Sequence, residues 1–191
     1  MRLILTAAAA SLAIVTAACQ KPAETNADAT ATDDMMTNDM NMAGGMAMAP
    51  MAASDFVSTV AASDMFQIAS GKLAQTMATM DACKKFGAVL VTDHTKSSAM
   101  LKTAAAAASP AVTLPTTLPA ELQAKLDALK ATKGAAFDKL FLEQQKDGHN
   151  KALDALKSYS SNGDVPSLKN FASNAVPVVQ AHLDMLNSMK M

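Results

Sequence analysis

Three histidines are present in the chain, and each falls near the middle of a different predicted helix. His94, His149 and His182 lie roughly 20 to 24 Å from the starts of those helices, at about 1.5 Å per residue. Helix midpoints coincide whether a helix runs up or down, so the three side chains are expected at similar depth in a bundle. Imidazole is a common metal ligand, and facing helices assemble metal sites in bundle cores. A transition metal ion is therefore the one cofactor that the pattern suggests.

Two residues with oxygen atoms are candidate metal ligands beside the histidines. Asp93 offers a carboxylate, and Gln67, near the middle of the first predicted helix, offers an amide oxygen. A dinuclear iron site needs about four Glu and two Glu-x-x-His pairs. Residues 54–191 contain only Glu121 and Glu143, and neither stands three residues before a histidine. Oxidase and ferroxidase chemistry are therefore not expected.

The histidines have an alternative, structural interpretation. They could hydrogen-bond with Asp93, Asp147, Asp184 or backbone carbonyls and thereby fix the register of the helices. This interpretation is the favoured one, and metal binding is the alternative. No nucleophile lies on a strand-turn-helix elbow, so we expect no catalytic residue and no enzyme activity. The expected function is a non-catalytic structural or interaction module linked to the cell envelope or to stress.

The segments that position these residues are predicted to be helical. Aromatic residues make up only 4% of the chain, Trp is absent, and Ala and Met are abundant, a composition that favours helix over sheet. Prolines between residues 109 and 119 end the second helix, and a break is expected near Gly134. The expected fold is all-α, an antiparallel four-helix bundle with a crossover at 109–133. Its helices are predicted at 54–80, 81–108, 134–160 and 166–189.

Two helix starts are predicted from capping residues. Ser54 with Asp55 is expected to cap the first helix, and Asp81 is expected to cap the second, since short polar side chains satisfy free backbone N–H groups.

The first 18 residues have the layout of a secretory signal peptide. A charged start at Arg2 precedes an apolar run, 3–15, that is too short to span a bilayer comfortably. Residues 15–19, Val-Thr-Ala-Ala-Cys, resemble the lipobox of bacterial lipoproteins. The resemblance implies cleavage before Cys19 and lipid attachment to it; the alternative is simple secretion with a free thiol.

Lipid attachment would leave one other thiol in the chain, Cys83, so no intrachain disulfide is expected. Cys83 is expected to be a small buried apolar side chain. Gln20 stands where an Asp would resemble an inner-membrane retention signal. The expected location is the outer membrane, facing the periplasm, in a host with two membranes.

Residues 19–53 are predicted to be a disordered tether, since they contain too little apolar surface to offset the cost of ordering them. Seven of the fifteen methionines lie in this segment. Thioethers suit soft ions such as Cu(I) or Ag(I), and low-complexity drift is the alternative explanation. The candidate soft-metal ligands are Met35, Met36, Met40, Met42, Met46, Met48 and Met51.

The charge of the chain limits the classes of partner that are expected. The formal net charge is −1, and the basic residues are scattered, so no nucleic-acid partner is expected. The expected membrane contact is the lipid anchor; the sequence identifies no protein partner.

Several elements together resemble an exported bacterial family, domain of unknown function four-one-four-two. They are Asp93-His94, Gly134-x-x-Phe137-Asp138, and Pro177 followed by His182. The resemblance covers about residues 54 to 190 and implies a ferritin-like four-helix bundle without an established activity. Relatives usually have Glu in place of Gln67 and an apolar residue in place of Cys83, so this chain lacks one plausible carboxylate ligand.

Overall fold

Five helices make up the part of the chain that the computed structural model describes, residues 51–189. Within that part no strand is found, so the all-α class is confirmed. The predicted signal peptide and Cys19 lie outside the described residues, as does the tether up to residue 50. No helix among the described residues is both long and apolar enough to cross a membrane. The helices are α1 (Ala53–Met77), α2 (Asp81–Ala106), α3 (Ala120–Ala131), α4 (Ala135–Asn162) and α5 (Pro166–Ser188).

Buried residues of all five helices form one apolar core. The most extensive contacts join α1 to α2 and α4 to α5, and further contacts join α1 to α4 and α2 to α5. The short helix α3 lies in the connection between α2 and α4 and contacts α1 and α4. Gly134, with φ at 64°, separates α3 from α4 in the left-handed region that favours glycine, as expected for the predicted break.

Helices α1 and α2 approach each other most closely at two glycines. A Cβ atom on Gly87 would lie 2.6 Å from the carbonyl oxygen of Gly71, and one on Gly71 would lie 2.7 Å from the carbonyl oxygen of Gly87. Gly71 and Gly87 lie eight residues before and after Thr79, which is at the centre of the connection between the helices. Because these two positions meet, α1 and α2 run antiparallel. The absence of side chains at this crossing allows the two backbones to meet.

Replacement of Gly87 by alanine is expected to destabilise the fold. Alanine is favoured over glycine within a helix by about 1 kcal/mol, but here its methyl group would overlap a backbone carbonyl that cannot rotate away. Overpacking of this kind costs about 1–3 kcal/mol. Urea unfolding of the G87A variant, followed by circular dichroism, checks this. An unchanged or raised midpoint would show that the helices do not cross at these glycines.

The start of α2 is capped from another helix. The Asp138 carboxylate, on α4, accepts hydrogen bonds from the backbone N–H groups of Thr79 and Met80, at 3.0 Å each, and from the Thr79 hydroxyl. Asp81 is the first residue of α2 rather than its cap, so the predicted cap is wrong. At α1 the capping position is Ala52, without a side-chain hydrogen bond, so the prediction for Ser54 is also wrong.

Cys83 is fully buried and is a free thiol, as the sequence predicts. Burial, and then the nearby negative charge of Asp138, raise the pKa of this thiol to about 11. The thiolate form is therefore scarce near neutral pH, which fits a packing role rather than a redox role.

Candidate metal centre

The structure brings the three histidines together in the core. His94 lies on α2, His149 on α4 and His182 on α5, and their side chains are almost completely buried. The ring centroids are separated by 5.2 to 5.7 Å. One ring nitrogen from each residue lies within 4.8 Å of those from the other two. Three potential ligand atoms therefore converge from three helices.

The tautomer of His149 follows from the hydrogen bond of its outer nitrogen, Nδ1, which is the ring nitrogen that faces away from the other two histidines. Nδ1 lies 2.8 Å from the carbonyl oxygen of Gln145, one turn earlier in α4. A carbonyl oxygen only accepts hydrogen bonds, so Nδ1 must carry the hydrogen. In the neutral ring the other nitrogen, Nε2, then holds a lone pair. Nε2 lies 3.2 Å from Nδ1 of His182.

Carboxylates fix the other two rings in the same way. The Nε2 atom of His182 lies 3.0 Å from an Asp93 oxygen, and Nδ1 of His94 lies 2.8 Å from an Asp64 oxygen. Asp64 also accepts a hydrogen bond from the Ser98 hydroxyl at 3.2 Å. Each imidazole therefore donates outward, which leaves His182 Nδ1 and His94 Nε2 as acceptors.

The consequence is a buried group of three acceptors. His94 Nε2 has no hydrogen-bond partner, and the facing nitrogens of His149 and His182 are both assigned lone pairs by their outer bonds. Buried acceptors that face one another without a donor are unfavourable. A cation at their centre would remove this cost.

The surroundings keep two of the rings neutral. Burial is the main cause that lowers the pKa of His149, to about 3; the neighbouring His94 and His182 rings add to it, and the Gln145 carbonyl opposes it. Burial also lowers the pKa of His182, and the hydrogen bond to Asp93 opposes that shift. Near neutral pH both rings therefore have the uncharged form that binds metals.

A family model matches residues 38–189, most of the chain. The family is described as Domain of unknown function (DUF4142). The chain belongs to this family. Among the curated proteins and the solved structures no match to the chain was found. The resemblance noted in the sequence is confirmed, and the description of DUF4142 assigns no activity.

The two candidate oxygen ligands lie at the outer nitrogens. The Asp93 carboxylate contacts Nε2 of His182, on the side away from His149. The Gln67 amide nitrogen lies 3.4 Å from Nδ1 of His149, and its buried oxygen, Oε1, has no hydrogen-bond partner. Both residues contact the histidines, and Asp93 is placed to orient a ring.

The acidic residues suggested as structural partners divide into two groups. Asp93 does pair with a histidine, but Asp147 contacts Lys125 and Lys151, and Asp184 contacts Gln180. The last two aspartates therefore do not contact the histidines.

Asp64 was missed by the sequence analysis. It is 2% exposed and holds His94 in place, although it was not among the candidate residues. A signal was available: Asp64 and His94 each lie fifteen residues from Thr79, so an antiparallel pair that turns there places them opposite each other.

The candidate soft-metal ligands in the tether lie outside the described residues, with one exception. Met51 lies two residues before the start of α1, is half-buried, and packs against the core. Its side chain therefore has a packing role in the fold.

Proposed function

We propose that this protein binds one divalent transition-metal ion per chain through His94 Nε2, His149 Nε2 and His182 Nδ1. The observation that supports the proposal is the direction of the outer hydrogen bonds. All three rings donate away from the centre, so three lone pairs face a common point without a donor. Metal-binding histidines almost always donate their second N–H to a carboxylate or a backbone carbonyl, which is the arrangement found here.

The spacing of the ligand atoms fits a single ion. Nitrogens at about 2.0–2.1 Å from a tetrahedral zinc ion are about 3.3 Å apart. The nitrogens of His149 and His182 are 3.2 Å apart, which matches without movement. All three ligand atoms lie within 4.8 Å of one another. The His94 nitrogen would therefore have to move inward by up to about 1.5 Å to reach the same spacing.

Charge also favours a divalent ion. Asp64 and Asp93 stand directly behind two of the ligands, and their two negative charges would offset the charge of the ion in a buried site. Three imidazole ligands prefer borderline ions such as Zn²⁺, Cu²⁺ or Ni²⁺ over Mg²⁺ and Ca²⁺, which prefer oxygen ligands. The group of ligands contains no carboxylate, which argues for a mononuclear site.

We place this site in an exported lipoprotein that acts by binding rather than catalysis. In this proposal residues 1–18 are the signal peptide and Cys19 carries the lipid. The tether to the outer membrane, facing the periplasm, then ends before Met51, because Met51 and Ala53 pack against the core of the domain. The contacts of α1 with α2 and α4, and of α5 with α2 and α4, support a ferritin-like four-helix bundle. In this proposal the methionines of the tether are candidate ligands for soft ions such as Cu(I), separate from the divalent site of the domain.

The second candidate function is a structural or interaction module without metal. It is favoured by the cross-helix bonds of the outer nitrogens, since His94 joins α2 to α1 and His182 joins α5 to α2. In that case the histidines fix helix register and the protein binds a partner through its surface.

Zn²⁺ titration of the full chain, by isothermal calorimetry, separates the two candidates. We expect one tight site per chain, retained at high ionic strength, and its loss in His149→Ala. His149→Gln fills more of the same space and serves as a second variant if the alanine variant does not fold. Absence of saturable binding by a folded wild-type chain would leave the structural candidate.

A further inference from the structure

A groove between the start of α2 and the end of α5 is lined by methionines. It has a volume of about 410 Å³. Met80, Met185 and Met189 line it, and they are three of the seven methionines in residues 51–189. The histidines do not line this groove; Phe86 does, and its ring also packs against His182 with centroids 5.8 Å apart. An aromatic ring therefore separates the groove from the histidine cluster.

The three methionine side chains lie close enough to share one ion. Met185 and Met189 are four residues apart at the end of α5, so their Cβ atoms are about 5–6 Å apart. Met80 directly precedes α2 and borders the groove from the other helix. All three are half-buried and pack against the core, so the fold keeps them next to one another. Methionine has three rotatable bonds, so each sulfur can turn toward the groove without movement of the backbone.

The other side chains of the groove exclude most metals. Among the described residues that line it, none is a histidine, a cysteine or an acid. Thioethers alone select soft ions such as Cu(I), whereas Mg²⁺ and Ca²⁺ need oxygen ligands. The one charged residue of this lining, Lys85, is exposed, so its ammonium group is hydrated. Its positive charge opposes a monovalent ion less than a divalent one.

The helix ends at the groove are compatible with a positive ion. Helix α5 ends at Ser188, which also lines the groove, so the negative end of the α5 dipole lies there. The start of α2 presents the positive end of its own dipole. The Asp138 carboxylate offsets it, because it accepts a hydrogen bond from the backbone N–H of Met80 at 3.0 Å.

We infer that the groove binds one Cu(I) ion, or its chemical analogue Ag(I), through the thioethers of Met80, Met185 and Met189. This soft-metal site is separate from the histidine cluster and does not depend on it. Thioether ligands have no proton to lose, so the ion does not compete with protons for them as it does for imidazole or thiol ligands.

The experiment titrates the chain with Ag⁺, which needs no reductant, and follows the ¹³C-labelled methionine methyl groups by NMR in chloride-free buffer. The full chain carries Cys19→Ala, so that this thiol does not compete for the ion. We expect the signals of Met80, Met185 and Met189 to shift together and saturate at one midpoint. Met100 is an exposed methionine outside the groove, and its signal should not shift over the same range.

Met185→Leu removes one thioether and nearly conserves volume, a change that usually costs less than about 1.5 kcal/mol, so the variant should fold. The signals of Met80 and Met189 should then respond at an Ag⁺ concentration at least about ten-fold higher, since loss of a group that supports a bound metal already costs that much. Met100→Leu is the matched control and should leave the midpoint unchanged. An unchanged midpoint in Met185→Leu, or separate midpoints for the three signals, would overturn the inference.

Two further variants test other positions for the ion. Loss of the response in a folded His149→Gln or Cys83→Ala chain would place Ag⁺ on the histidines or on the buried thiol, and either result would overturn the thioether site. No response of the three signals in the unsubstituted groove would make these methionines packing residues. Zn²⁺ binding should be the same in Met185→Leu as in the unsubstituted chain, so failure of this inference is distinguishable from failure of the histidine site.

Discussion

Zn²⁺ at 100 times its dissociation constant is expected to stabilise the folded chain by about 2.7 kcal/mol, because the ion binds the folded state and not the unfolded one. The three ligands come from α2, α4 and α5, so the unfolded chain does not hold them together. Thermal unfolding with and without Zn²⁺ measures this shift. Mg²⁺ is the control, and it should leave the melting temperature unchanged.

Asp64→Asn should lower the affinity for Zn²⁺, and therefore the stabilisation by Zn²⁺, without removing the site. The amide oxygen of asparagine still accepts the hydrogen bond from His94 Nδ1, but the negative charge behind the ring is lost. Loss of such supporting groups costs about 10–100-fold in metal affinity. Calorimetric titration of the variant with Zn²⁺ gives this ratio directly.

Asp127→Asn is the matched control for this substitution. Asp127 is an exposed residue of α3 that pairs with Lys130, and it is not part of the histidine cluster. Its variant should bind Zn²⁺ as tightly as the unsubstituted chain. If Asp64→Asn also leaves the affinity unchanged, Asp64 does not support a metal ligand.

Asp138→Ala is expected to give a large loss of stability. The Asp138 carboxylate is 1% exposed and accepts the N–H groups of Thr79 and Met80 at the start of α2. Its negative charge also lies at the positive end of the α2 dipole. Hydrogen bonds to a charged group contribute about 1.5–3 kcal/mol each, so a net loss of about 2–4 kcal/mol is expected.

Urea unfolding followed by circular dichroism measures the effect of Asp138→Ala. Asp154→Ala is the matched control, because Asp154 is an exposed aspartate of the same helix, and exposed substitutions usually change stability by less than about 0.5 kcal/mol. Equal unfolding midpoints for the two variants would show that α2 does not depend on this carboxylate.

The helices and the meeting of the histidines were accessible from sequence because both depend on local signals. The long helices were predicted to start at residues 54, 81, 134 and 166, and they start at 53, 81, 135 and 166. Proline, glycine and the spacing of apolar residues determine such bounds within one segment. Equal depth of the three histidines then followed from their positions near helix midpoints.

The supporting contacts were not accessible in the same way, because they join residues that are distant in the chain. Asp138 caps a helix that begins 57 residues earlier, and no local pattern distinguishes it from an ordinary acidic first turn. Asp81 has the local features of a cap, but it lies within the helix. The Asp138 carboxylate accepts the N–H groups of Thr79 and Met80 instead. The direction of each ring depends on which oxygen lies behind it, and only the packed helices determine that.

X-ray absorption at the zinc edge, on the full chain loaded with one equivalent of Zn²⁺, shows directly which atoms bind the ion. We expect three imidazole nitrogens at about 2.0–2.1 Å and one additional light atom, with no sulfur. A shell that contains sulfur would place the ion on the methionines or on a cysteine. A shell of oxygens alone would place it on surface carboxylates, and either result would contradict a metal site formed by His94, His149 and His182.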